Sequence, residues 1–80
     1  MHLKILCFGI TRDIIGQFEY KTSLPEGATV ADLKNQLNES FPAFGTLKSL
    51  RIALNETYAE DTTPLTENAE IVLIPPVSGG

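Results

Sequence analysis

"TVADLKNQLNESF", residues 29–41, is the stretch on which the fold turns, because it carries the clearest helical period in the chain. Val30, Leu33, Leu37 and Phe41 recur at spacings of three and four, which places them on one stripe of a helix. Thr29 stands where a cap is needed, and Asp32 follows three residues later, the spacing of a capping box with Asp in place of the preferred Glu. Pro42 ends the helix, since the residue before a proline is pushed out of helical geometry. One amphipathic helix has one apolar stripe, so it needs one apolar surface to lie on.

The segments on either side supply that surface as strands. "LKILCFGI" (3–10) is a short apolar run bounded by glycine, the pattern of a central strand. "TRDIIG" (11–16) is long enough for a single helical turn, with Thr11 able to cap it and Gly16 to stop it. "QFEYKT" (17–22) alternates polar and aromatic residues as a half-buried strand does, and "SLPEG" (23–27) is a turn. Beyond the helix, "AFGTLKSL" (43–50) reads as irregular. "RIALN" (51–55) is a strand with Ile52 and Leu54 on one face, "ETYAEDT" (56–62) a short edge strand, and "PLTENAE" (64–70) a turn-rich link. Asn68 in that link is suited to a left-handed backbone. "EIVLIPP" (70–76) is a second apolar strand.

Strand, strand, helix and three further strands make an α+β fold. A mixed sheet of four to five strands is expected, with the one main helix packed on one face and the other face less protected. The first and last strands are the most apolar and are expected to lie side by side in the sheet centre. Alternation puts Leu3, Ile5 and Cys7 on one face of the first strand, and Ile71 and Leu73 on one face of the last. These sets belong under the helix. Phe8, Val72 and Ile74 then fall on the uncovered face, with Tyr58 on the neighbouring edge segment extending the patch. Either a loop covers these residues or they form a partner interface.

Eighty residues make one domain. A chain of this size buries only about 60–65% of its unfolded surface, which leaves little room for a deep catalytic cleft. The apolar fraction of 42% with 20% charged residues is that of an ordinary soluble domain. A net charge of −4, with six scattered basic residues, argues against nucleic acid as a partner. Residues 55–70 hold Glu56, Glu60, Asp61, Glu67 and Glu70 and no base, either as a solvated face or as an electrostatic docking patch. With no signal peptide and no apolar run of membrane-spanning length, the chain is expected to be cytoplasmic and to have no membrane partner.

Few side chains suggest chemistry of their own. Cys7 is a lone cysteine on the apolar face, read as a buried structural thiol. His2 has no second histidine or cysteine pair to complete a metal site, so no metal is expected. Ser78 has no neighbouring base to activate it. The C-terminus is more informative. The chain is read as a body, residues 1–74, followed by an extended tail, Pro75, Pro76, Val77, Ser78, Gly79 and Gly80. The prolines fix an extended backbone and donate no N–H, so the sheet must stop there. Six residues reach at most about 20 Å. Glycine has no Cβ, so another protein can close around the tip and approach the Gly80 carboxylate, which needs activation before it can react. With Gly80 last, no proteolytic step is expected to precede that activation.

The opening "LCFGITRDIIG", the helix "TVADLKNQL", "ALNETY" and the ending "PLTENAEIVLIPPVSGG" resemble the small, sulfur-carrying subunits of molybdopterin synthase. These belong to the ubiquitin-like β-grasp group, and the resemblance runs over essentially the whole chain, with "PPVSGG" its most specific part. It implies that an adenylating, E1-like activating enzyme uses ATP and Mg²⁺ to make an acyl-adenylate at Gly80, and that a sulfur donor converts this to a thiocarboxylate. The tail then enters the large subunit of a heterotetramer and gives its sulfur to cyclic pyranopterin monophosphate. The large subunit would supply the catalytic side chains, and this chain would bind no cofactor. The resemblance places partner-docking positions at Phe8, Tyr58 and Ile74, where alternation also puts an apolar patch. Arg12 matches a family arginine, read either as a contact to tail or partner or as an ordinary exposed arginine. Where the family often has Gly-Asp before the glutamate of the last turn, this chain has Asn68-Ala69 before Glu70. The thiamin sulfur carrier and ubiquitin-like protein modifiers also end in glycine pairs, and both remain alternatives.

Overall fold

The helix of residues 29–41 forms as its sequence requires. In the computed structural model, which describes residues 1–47 and 50–75, α2 spans Val30–Ser40. Its capping box is complete: the Thr29 side chain accepts from the Asp32 amide, and Asp32 accepts from the Thr29 amide at 2.9 Å. Two further N–H groups of the first turn find carbonyls outside the helix, Val30 to Thr63 at 3.0 Å and Ala31 to Asp61 at 3.0 Å. The N-terminus is therefore fastened to the 60–66 link, which fixes where the apolar stripe comes down. Val30, Leu33 and Leu37 are fully buried, and Phe41 caps the C-terminus half-buried.

That stripe lies on a five-stranded sheet of order β2-β1-β5-β3-β4, where β1 is His2–Cys7, β2 Glu19–Ser23, β3 Arg51–Leu54, β4 Thr57–Ala59 and β5 Glu70–Ile74. β1 and β5 run parallel in the centre, and the other three pairings are antiparallel. The two most apolar strands are thus neighbours, as expected. Leu3, Ile5, Cys7, Ile71 and Leu73 are buried under the helix together with Ile52. Each such aliphatic side chain contributes about 1.5–3 kcal/mol by leaving water.

Five local readings need correction, the first being the strand expected over 3–10, which runs His2–Cys7 and leaves Ile10 to open the next helix. The strand expected from Gln17 begins at Glu19, and Phe18 stands outside it. The strand expected to include Asn55 stops at Leu54, because Asn55 turns into a left-handed conformation with φ 49°. Residues Pro42–Thr46, read as irregular, form a 3₁₀ helix that starts on the proline and buries Phe44 beside Phe41. Thr46 closes that turn by donating to the Ala43 carbonyl at 2.7 Å. The short helix α1, Ile10–Ile15, has Gly9 and not Thr11 at its N-terminal boundary. Gly16 does stop it, in a left-handed conformation with its N–H on the Arg12 carbonyl. Asn68 has φ 61°, the left-handed geometry its sequence position suggested.

Candidate functional site

The register of the ladders defines the sheet face that α2 leaves open. Across it run Glu19, Leu6, Val72, Ala53 and Tyr58, one residue from each strand in turn. One step nearer the C-terminal end of β5, Ile74 pairs with Arg51 on the same face. Phe8 follows β1 directly, and continuing the parallel register sets it beside Ile74. Phe8, Tyr58 and Ile74 therefore share one face, around the point where the chain leaves the sheet.

Among the described residues no loop covers this face. Phe8 is 42% exposed and Tyr58 64%, while Val72 and Ile74 are half-buried. The Arg51 guanidinium sits 5.6 Å from the Tyr58 ring centroid, so the edge of the patch is braced by a cation–π contact. Phe8 meets Phe18 edge-to-face, with centroids 5.0 Å apart. Phe18 is also exposed and widens the apolar area beyond the residues that alternation picks out. Phe18 escapes a strand-based reading because it lies just before β2, where the period-2 rule no longer sets its direction. Tyr20, its alternation partner in the sequence, instead packs against Phe41 at 5.4 Å.

The segment after β1 is held by a residue whose role the sequence leaves hidden. Thr11 is fully buried, and its hydroxyl donates to the Phe8 carbonyl at 2.6 Å while accepting from the Phe8 amide at 3.0 Å. Next to it, Gly9 has φ 55° and ψ −131°, a conformation that a side chain opposes. A Cβ on Gly9 would lie 3.3 Å from Cγ of Pro75, the first residue of the tail. The root of the tail therefore touches the Phe8–Gly9 segment. Pro76, Val77, Ser78, Gly79 and Gly80, the residues expected to enter a partner and carry the reacting carboxylate, lie outside the described residues.

Of the remaining candidates, Cys7 and His2 are not brought to this site. Cys7 is buried with Sγ 3.8 Å from the Ile5 carbonyl, and burial pushes its thiol pKa up, which keeps it neutral. His2 is exposed at the opposite end of β1, with Nδ1 3.0 Å from Glu67. Arg12 lies exposed in α1, one turn from Phe8. Of the acidic stretch, Asp61 pairs with Lys34 at 2.7 Å and Glu67 with the N-terminal residues, and Glu56, Glu60 and Glu70 are exposed. Among the described residues no group of three or more His, Cys, Asp or Glu could hold a metal ion, and no helix is long and apolar enough to cross a membrane. A depression of about 440 Å³ lies between α2 and the 3₁₀ turn, and one of about 390 Å³ beside His2, Lys4 and Lys21; neither is lined by Phe8, Ile74 or Pro75. The site is a surface with a tail root beside it, suited to docking.

The model of the ThiS family matches residues 5–80. The chain belongs to the ThiS family. Within it, the chain is 35% identical over 83 aligned positions to the molybdopterin synthase sulfur carrier subunit of Chlamydomonas reinhardtii, covering all of both chains. Among solved structures, the putative molybdopterin converting factor subunit 1 from Pyrococcus furiosus superposes with a TM-score of 0.89 at 26% identity, over 96% of this chain and 99% of that one. A protein–protein complex of subunits 1 and 2 of the molybdopterin-converting factor from Helicobacter pylori contains a chain matching with a TM-score of 0.69 at 27% identity, over the full length of both. The fold is the ubiquitin-like β-grasp.

Proposed function

We propose that this chain is the sulfur-carrier small subunit of molybdopterin synthase, acting in molybdenum cofactor biosynthesis. One observation carries the reading: an exposed apolar face surrounds the root of a "PPVSGG" tail, in a chain that matches a sulfur carrier subunit from end to end. The Gly80 carboxylate reacts with ATP on an adenylating, E1-like enzyme, forming the acyl-adenylate and releasing pyrophosphate. Hydrosulfide supplied by a sulfur donor then forms the C–S bond as the C–O bond to AMP breaks and AMP leaves. The resulting thiocarboxylate gives its sulfur to cyclic pyranopterin monophosphate, and two such deliveries complete a dithiolene.

In this reading the large subunit supplies the catalytic side chains. ATP and Mg²⁺ belong to the activating enzyme, and the small chain contributes the acyl end and the docking surface. Phe8, Tyr58 and Ile74 dock on the large subunit, in a cytoplasmic heterotetramer of two small and two large chains, and residues 75–80 enter its active site. The test is the intact mass of the chain after co-expression with its activating enzyme and a sulfur source. Replacement of one oxygen by sulfur at Gly80 supports the reading, and its persistent absence overturns it. Co-purification with a thiamin-pathway partner, or Gly80 in isopeptide linkage to lysines, would instead point to the two alternatives.

A further inference from the structure

We infer that Gly9 is a positioning residue for the tail: its bare backbone is the seat on which Pro75 rests, and this contact fixes the root from which the tail departs. The inference rests on the carrier reading and adds to it a residue in the body, 66 positions before the tail begins.

Two independent features of Gly9 point this way. The first is its backbone, since φ 55° with ψ −131° lies outside the regions that L-residues with a Cβ occupy freely. The second is space, since a Cβ there would sit 3.3 Å from Pro75 Cγ, closer than ordinary van der Waals contact. Topology explains why these two residues meet. β1 and β5 are parallel and paired as far as Cys7 and Leu73, so continuing the register brings Gly9 to Pro75. Proline has no N–H and donates no ladder hydrogen bond, so the ladder cannot hold it as it holds Leu73. Packing must do so.

The seat itself is fixed. Thr11 grips Phe8 from both sides, and the Gly9 carbonyl accepts from the Asp13 amide at 3.2 Å. Leverage makes the contact matter. Five residues threaded in extended form span at most about 17 Å. A ten-degree change at the root would then carry the far end about 3 Å, more than the misplacement of about 1 Å that is enough to slow an aligned reaction a hundredfold.

The test uses the full chain with its cognate activating enzyme, ATP and Mg²⁺, reading Gly80-dependent ATP–pyrophosphate exchange. Gly9→Ala is expected to lower kcat about tenfold to a hundredfold, with KM unchanged because the docking face is intact. Two rescues separate positioning from general damage. Pro75→Ala removes Cγ and should restore part of kcat in the Gly9→Ala chain. D-Alanine at position 9, introduced by chemical synthesis, takes the mirror image of a backbone that L-residues adopt readily and should restore kcat fully. Unchanged kcat, a rise in KM alone, or failure of both rescues would overturn the inference. Should Gly9→Ala fail to fold, Pro75→Gly frees the root from the other side and must itself lower kcat at constant KM. If the wild-type chain supports no exchange, the carrier reading has failed; if it does and the variants match it, only the role of Gly9 has.

Discussion

The Thr11 hydroxyl closes a two-way hydrogen bond with Phe8, donating to its carbonyl at 2.6 Å and accepting from its amide at 3.0 Å. Phe8 stands one residue beyond the β1 ladder, where its backbone groups have no strand partner. One buried side chain therefore replaces the ladder and holds the Phe8 ring on the open face. Thr11→Val keeps the shape and loses both bonds, so it should cost about 1–3 kcal/mol. Thr11→Ser keeps the bonds and loses one methyl, a cost of roughly 1 kcal/mol. Urea unfolding of both variants checks this, and a Thr11→Val chain as stable as the wild type would show that the hydroxyl contributes nothing.

The β3–β4 hairpin contains a stabilising mutation in waiting. Its two-residue loop has φ 49° at Asn55 and 70° at Glu56, both left-handed, as a type I′ turn requires. Asn55 suits the position and also accepts the Glu70 amide through Oδ1 at 3.1 Å. Glu56 has no such compensation. Replacing it with glycine removes a left-handed cost of about 1–2 kcal/mol, less the entropy glycine adds to the unfolded chain. Glu56→Gly should raise the urea midpoint by the equivalent of about 0.5–1 kcal/mol. A lowered midpoint would refute this account of the turn.

These cases also show which parts of the molecule could be read in advance. Leu3, Ile5, Cys7, Ile71 and Leu73 announce their face because a strand's period carries burial directly. Thr29 and Asp32 announce a helix start because their spacing is local. Thr11 does not announce its role: a threonine before a helical run fits a cap as well as a tether to the preceding strand. Pro42 and Gly45 within five residues hide a 3₁₀ turn, since both residues are also common in irregular chain. The meeting of Gly9 with Pro75 depends on parallel register between segments far apart in sequence, which no local pattern encodes. The chemistry proposed for the tail has another source in the sequence, the covalent identity of Gly80.

Acid sensitivity should include a contribution from Glu67. Its carboxylate accepts the His2 backbone amide at 2.9 Å, and that bond, with the His2 ring and the N-terminal ammonium nearby, holds its pKa below the ordinary 4.5. A folded-state pKa below the unfolded value favours folding above the unfolded value, and the benefit disappears as pH falls through the folded one. Glu67→Gln should lower stability near neutral pH and flatten the loss of stability below about pH 4.5. Urea midpoints measured from pH 7 to pH 2 test this, and parallel curves for the two proteins would rule the contribution out.

Docking and folding should separate at Phe8 and Tyr58. Tyr58 is 64% exposed and Phe8 42%, and neither belongs to the core under α2, so truncating them removes little that the fold depends on; surface changes of this kind usually fall within about 0.5 kcal/mol. Tyr58→Ala also loses the Arg51 contact, worth roughly 0.5–1 kcal/mol where exposed. An aromatic ring at the centre of an interface, by contrast, often carries about 2 kcal/mol or more of binding. Phe8→Ala and Tyr58→Ala should therefore unfold close to the wild-type midpoint yet bind the large subunit at least tenfold more weakly. Asn35→Ala, on α2 at the opposite side of the sheet, should change neither. Titration calorimetry against the purified large subunit decides the matter. Wild-type affinity in both ring variants would move the docking surface elsewhere, and weakened binding by Asn35→Ala would move it to the helix side.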